Sequence, residues 1–115
     1  MPQATSSKHY TVGLAGFGWK RDGTANAAFG LARTSSAPST LYLRAFLPKP
    51  DGSSTSMKKI DSGGSGSQVM FEGPNLKGWT PDQKYSYTLE VYGDAQYQTK
   101  LETLNQQAVC VAPPR

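Results

Sequence analysis

The side chains able to do covalent or metal chemistry are few and far apart in this sequence. The chain has one histidine, His9, and one cysteine, Cys110. A hydrolase nucleophile needs a base beside it, and a structural zinc needs several Cys or His ligands at close spacing. Cys110 also stands in an apolar alternating run, which is typical of an inert buried thiol. The sequence therefore predicts a non-catalytic protein with no metal site.

The carboxylates are spread along the chain in a way that favours structural roles. A paired-carboxylate glycosidase needs two of them across a cleft, and a calcium loop needs several close together. Five aspartates stand at predicted turns, where Asp bonds its own backbone, and three glutamates stand on separate predicted strands. They are Asp22, Asp51, Asp61, Asp82 and Asp94, and Glu72, Glu90 and Glu102. A small carbohydrate-active or carbohydrate-binding domain stays open as an alternative function.

Two glycine-rich stretches partly match phosphate-binding motifs. Gly16-Phe17-Gly18 follows an apolar run, but the third glycine of a dinucleotide fingerprint is missing and residues 20–26 do not open an apolar-faced helix. Residues 63–67 lack the lysine that a phosphate loop requires. No cofactor is therefore expected.

Basic residues stand next to aromatic residues at three places in the chain. They are Trp19-Lys20-Arg21, the alternating set Tyr42, Arg44 and Phe46, and Lys77-Gly78-Trp79. Aromatic rings and cations together stack bases and neutralise phosphates. A β-barrel that binds single-stranded nucleic acid is therefore a second alternative function.

Length and composition indicate one domain that carries a modest positive charge. The 115 residues have a net charge of +4, with 12 Gly and 8 Pro, a usage typical of strands and turns. No apolar run is long enough to span a membrane, and the first residues do not form a signal peptide. The low charge and the Ser, Thr, Gly and Gln content favour an extracytoplasmic protein, whose leader would have been removed.

Alternating apolar and polar residues, broken by turn signals, predict about seven short strands and no helix. In residues 40–47 the leucines fall on one face, and residues 85–92 alternate most cleanly. Asp22-Gly23 predicts a tight hairpin with both residues at positive φ, and Tyr97, Thr99, Leu101 and Thr103 are expected on one side of a returning strand. The predicted strands cover residues 9–19, 24–33, 40–47, 57–60, 69–72, 85–92 and 97–104, with a short piece at 108–111.

These strands predict an all-β fold of two packed antiparallel sheets, with a small closed β-barrel as the alternative. The expected domain covers residues 9–112, with a flexible loop at 52–67. Residues 1–8 are predicted to be a flexible N-terminal segment, and residues 113–115 a tail.

Trp79, Pro81 and Tyr85 are followed by the inward alternation of residues 85–91. This segment resembles the tyrosine corner of fibronectin type III and immunoglobulin-like sandwich domains, over about 16 of the residues. The resemblance implies that the Tyr85 hydroxyl bonds to upstream backbone and that its ring packs inside. The family's core Trp on the second strand is replaced here by Phe29 or Leu31, and the N-terminal Asp-Gly hairpin departs from the family pattern.

A small sandwich without catalytic groups most often presents loops or an edge strand to another macromolecule. The sequence therefore predicts a non-catalytic protein-binding or assembly module of a secreted, periplasmic, phage or virion protein. Its partner is expected to be a protein or a surface polymer, with nucleic acid as the other possibility. Lys58 and Lys59 are expected to protect an edge strand. The predicted partner-binding residues are Trp19, Lys20, Arg21, Asp22, Lys77 and Trp79.

Overall fold

The computed structural model describes residues 9–34, 40–63 and 66–110. Within these ranges the chain forms seven strands and no helix. The predicted N-terminal segment 1–8 and the tail 113–115 lie outside the described residues. The strands are β1 Tyr10–Trp19, β2 Ala25–Arg33, β3 Leu41–Pro48, β4 Ser54–Asp61, β5 Gln68–Glu72, β6 Lys84–Tyr92 and β7 Lys100–Val109.

The strands form two antiparallel sheets, in the orders β1-β2-β5 and β4-β3-β6-β7. Each neighbouring pair is antiparallel, and no ladder joins the two sheets within the described ranges. The predicted β-sandwich is therefore confirmed, and the alternative closed barrel is not formed. No helix of the described part is long and apolar enough to cross a membrane.

The core lies between the sheets and follows the period-two alternation of their strands. In β3 the side chains of Leu41, Leu43, Ala45 and Leu47 are fully buried, as predicted. In β6 the predicted inward residues Tyr85, Tyr87, Leu89 and Val91 are buried as well. From the other sheet, β2 contributes Phe29 and Leu31, and the Phe29 ring centroid lies 5.4 Å from that of Tyr87. Tyr10, Tyr85 and Tyr87 are therefore part of the core, where large aromatic rings bury much apolar surface.

The segment before β6 forms the hydrogen bond that the resemblance to a tyrosine corner implied, between Tyr85 and upstream backbone. The backbone N–H of Thr80 donates a 3.0 Å hydrogen bond to the Tyr85 hydroxyl. The Trp79 ring packs edge-on against the Tyr85 ring at 5.0 Å. Asp82 adopts a φ of 69°, and its N–H donates to the carbonyl of Cys110 at 2.7 Å. The corner is therefore tied both to its own chain and to the residue that follows β7.

Charged groups are buried where β1 begins. Arg33 and Asp61 are buried and lie 3.6 Å apart, and the Tyr10 hydroxyl donates to Asp61 at 2.5 Å. His9 is also buried, and its Nδ1 lies 2.9 Å from a carboxylate oxygen of Glu102 on β7. Paired and hydrogen-bonded charges tolerate such burial, whereas single ones do not. These contacts hold the start of β1 against strands of the opposite sheet.

The first hairpin departs from the predicted tight turn. Only Gly23 has positive φ, at 86°, and the loop is closed by a bond from the N–H of Lys20 to the carbonyl of Thr24 at 2.8 Å. Asp22 keeps negative φ because its carboxylate accepts bonds from the N–H and the hydroxyl of Thr24. The loop is therefore longer than a two-residue turn.

The last strand begins later than the sequence predicted. Residues 93–99 form a turn in which Tyr97 has a φ of 56°, and β7 starts at Lys100. Tyr97 and Thr99 therefore precede the strand on which they were predicted. Leu104 pairs with Leu89 and is buried, whereas Leu101 and Thr103 are exposed. The piece predicted at 108–111 continues β7 as far as Val109. Likewise, β4 is longer than the short strand predicted inside the loop 52–67.

Candidate binding surfaces

The structure brings four of the predicted partner-binding residues to one end of the sandwich. Residues 20–23 form the turn between β1 and β2, and the bridge between Ala25 and Leu76 places Lys77 beside that turn. Lys20, Arg21, Asp22 and Lys77 are all exposed there.

Asp22 serves its own turn at this end. Hydrogen bonds from the Thr24 hydroxyl and N–H lower the pKa of the Asp22 carboxyl, and Lys77 lowers it further. Asp22 therefore stays ionised beside Lys20, Arg21 and Lys77. The carboxylate offsets part of the positive charge of this end.

The two predicted tryptophans belong to the interior. Trp79 is only 7% exposed, its Nε1 donates a 3.0 Å bond to the carbonyl of Ala25, and its ring lies 4.8 Å from that of Phe17. Trp19 is half-buried and packs against the same core. Both were predicted at the surface because a lysine lies within two residues of each. Alternation along β1 turns Trp19 toward the core, whereas Trp79 lies in the segment before β6 and is held inside by its bond to Ala25 and its contact with Phe17.

A second candidate surface is the outer face of the four-stranded sheet. Here Tyr42 lies opposite Tyr92, and Arg44 lies opposite Glu90, with Ile60 and Lys58 of β4 beside them. Tyr97 covers this face from the turn before β7. We call this surface the tyrosine–arginine face, and it comprises Tyr42, Arg44, Phe46, Lys58, Glu90, Tyr92, Tyr97 and Lys100.

Three side chains of this face donate hydrogen bonds to the carboxylate of Glu90. Its carboxylate accepts bonds from Arg44 Nη2 at 3.2 Å, Lys100 Nζ at 3.3 Å and the Tyr92 hydroxyl at 2.8 Å. Burial acts to raise the pKa of Glu90, but the bonds from Tyr92, Arg44 and Lys100 together outweigh it and leave the pKa below its ordinary value. With Lys58 over the Tyr97 ring, the face carries three cations and one carboxylate, so it is positively charged.

The aromatic rings of the face pack against one another and against its cations. The Tyr97 ring lies 5.2 Å from that of Tyr92 and 6.3 Å from that of Tyr42, both edge-on. Lys58 Nζ stands 4.6 Å from the Tyr97 centroid, and the Arg44 guanidinium stands 5.3 Å from that of Phe46. Such contacts fix long side chains in place and reduce the entropy that they lose on binding.

The turn that carries Tyr97 is held by the Asp94 carboxylate and by backbone bonds from the N–H of Tyr97 to the carbonyl of Asp94 and from the N–H of Gly93 to the carbonyl of Thr99. Asp94 accepts bonds from the N–H groups of Gln98 and Thr99, at 3.1 and 2.8 Å. Tyr97 can therefore keep its positive φ and lie back over the sheet. No local pattern predicted this placement of Tyr97, because its contacts join a turn to three separate strands.

The strand edges are protected by side chains that reach across the sandwich. Lys59 of β4 points inward and donates to the carbonyl of Met70 on the edge strand β5. The Tyr87 hydroxyl donates to the carbonyl of Gly16 on β1 at 2.5 Å. An inward charge on an edge strand is a known protection against edge-to-edge pairing. The faces of the sandwich are therefore better placed than these edges to meet a partner.

The groups with potential chemistry do not converge within the described residues. Cys110 is fully buried, and burial raises the pKa of its thiol. His9 bonds to Glu102. In the described ranges no three His, Cys, Asp or Glu side chains are grouped as a metal would require.

Fold and surfaces together define a small two-sheet β-sandwich domain with a charged aromatic face. No protein-family profile and no curated protein sequence matches the chain. Its structure is similar to part of a calcium-binding mutant of β-glucuronidase 2 from Bacteroides uniformis, with a TM-score of 0.53 and 17% identity. The match covers 88% of this chain and 13% of that enzyme. At this identity the likeness is one of fold alone.

Proposed function

We propose that this chain is a non-catalytic protein-binding module that contacts its partner through the tyrosine–arginine face. The observation that carries the proposal is the packing of Tyr97 over Tyr42 and Tyr92, with Arg44 and Lys58 held against the rings. A solvent-facing antiparallel sheet is normally polar. Tyr and Arg are the residue types enriched at the energetic centres of protein interfaces.

The module is proposed to be of the immunoglobulin-like or fibronectin type III kind. The bond between Thr80 and Tyr85 supports this, because it matches the geometry of a tyrosine corner. The strand groups β1-β2-β5 and β3-β6-β7 also match the two halves of immunoglobulin sandwiches, although β4 lies beside β3 instead of β5. Such modules often belong to surface proteins, and the low charge and the Ser and Thr content support a place outside the cytoplasm.

The proposal is tested by capture with variants of the two outer faces. The double variant Tyr42→Ser and Tyr97→Ser removes two rings from the tyrosine–arginine face. The matched control, Leu14→Ser and Met70→Ser, removes exposed apolar side chains from the outer face of the other sheet. We expect a protein captured by the unmodified chain from its native source to be lost with the first variant and retained with the control. Retention by both variants would contradict the proposal.

A further inference from the structure

A groove of about 450 Å³ continues from the tyrosine–arginine face toward one end of the sandwich. It lies between the turn that joins β3 to β4 and the first half of β6. Its lining combines an aromatic ring, two lysines and several hydroxyl groups. These include Phe46, Lys49, Ser54, Lys84 and Ser86.

The groove is positively charged. Its lining includes Lys49 and Lys84 and no carboxylate, and Arg44 adds a third cation above Phe46. The nearby Asp51 is occupied in its own turn, where its carboxylate accepts bonds from the N–H and the hydroxyl of Ser53 at 2.9 and 2.6 Å. Glu90 is likewise surrounded by the donors of the tyrosine–arginine face. Asp51 and Glu90 offset part of this charge, but Lys49 and Lys84 form no salt bridge within the described ranges, so the lining keeps a net positive charge that favours an anionic occupant.

The spacing of the groups suits a peptide in extended conformation. Phe46 and Lys49 are three residues apart, roughly 10 Å along extended backbone, which is the span of about three residues of a bound strand. The half-buried Phe46 ring offers one apolar contact between the cations. A single-stranded nucleic acid requires a succession of exposed rings for successive bases. In the groove only Phe46 offers a ring at the surface, because Tyr85 is buried.

We propose that this groove binds an extended acidic segment of the partner protein, with an apolar side chain on Phe46 and carboxylates at Lys49 and Lys84. This inference rests on the proposed function, because it names the partner's chemistry. Phe46 belongs to both surfaces, and Arg44 stands over its ring, so the groove and the tyrosine–arginine face form one continuous interface. The hydroxyls of Ser54 and Ser86 are placed to bond the backbone of the bound segment.

The test measures fluorescence anisotropy with a labelled short peptide that alternates glutamate and leucine, and with the same peptide carrying glutamine for glutamate. The groove variant combines Lys49→Glu with Lys84→Glu. The matched control combines Lys20→Glu with Arg21→Glu, which changes the net charge equally on the turn between β1 and β2, whose residues do not line the groove. Thermal melts establish that both variants are folded.

We expect the groove variant to weaken binding of the acidic peptide at least about tenfold and the control to change it less than about threefold, since screened charges outside the groove act weakly. The glutamine peptide should bind poorly to every form. Equal losses in both variants, no binding by the unmodified chain, or tighter binding of oligothymidylate or oligogalacturonate would overturn the inference. If the peptide result fails while the Tyr42 and Tyr97 variant still loses the captured protein, the proposed function stands without this groove.

Discussion

The backbone N–H of Thr80 donates a 3.0 Å hydrogen bond to the hydroxyl of Tyr85, five residues further along the chain. The bond closes the corner through which the chain enters β6 from the other side of the sandwich. It also explains why a tyrosine and not a phenylalanine begins this strand, because the ring fills the core while the hydroxyl satisfies a backbone donor.

Replacing Tyr85 by Phe should therefore lower the free energy of unfolding by about 1 kcal/mol, the usual contribution of such a bond. Urea unfolding measures the change. Tyr42→Phe on the outer face is the matched control and should change stability much less. An unaltered unfolding midpoint for the Tyr85 variant would mean that the corner bond contributes nothing.

Trp79→Phe separates a structural role from a binding role at a residue that the sequence placed in the interface. The change removes the bond from Nε1 to Ala25 and part of the packing against Phe17. We expect a loss of about 1–3 kcal/mol in stability, with partner capture by the folded protein unchanged. A variant that melts normally and no longer captures the partner would mean that Trp79 takes part in binding.

Glu90→Gln should reduce the sensitivity of the fold to acid. The pKa of Glu90 is depressed in the folded state, so its ionised form contributes stability that is fully present above the ordinary carboxyl pKa near 4.5. That contribution is lost as the pH falls through the lower, folded-state pKa. The free energy of unfolding, measured from about pH 6 to about pH 3, should fall less steeply for the variant than for the unmodified chain. Parallel curves for the two proteins would refute a role of Glu90 in this decline.

Lys59→Thr removes the side chain that reaches from β4 to the carbonyl of Met70. Two neighbouring edges then lose an inward charge, so we expect concentration-dependent self-association. Sedimentation velocity measures it. Lys58→Thr removes the same charge from the same strand but from the outer face, and it should stay at the oligomeric state of the unmodified chain. Self-association of both variants would trace the effect to net charge instead.

Local periodicity was sufficient to predict much of the fold. The inward residues of β3 and β6 followed directly from alternation, since both strands are central in their sheet and bury one face. The register of β7 did not follow, because a bulge lies between Val91 and Tyr92 and the positive φ of Tyr97 ends the alternation before the strand begins.

The candidate surface was only partly visible in the sequence. Tyr42, Arg44 and Phe46 stand at alternate positions of one strand, and their shared face could be predicted. Lys58 and Tyr97 join them only through pairing between strands and through a turn, which no spacing in the sequence encodes. Trp79 was predicted at the surface, but it is buried. Its position depends on a hydrogen bond to Ala25, which is distant in the sequence and which no local pattern shows.

Site-specific photocrosslinking tests the central claim most directly, because it reports where the partner lies. A photoreactive residue replaces Ser56 or Thr103, which are exposed beside the tyrosine–arginine face, or Thr11 or Glu72, which are exposed on the opposite sheet. We expect the same protein to be crosslinked from Ser56 and Thr103 and from neither of the other positions. Crosslinks confined to Thr11 and Glu72, or absent from every position, would contradict a protein-binding role for this face.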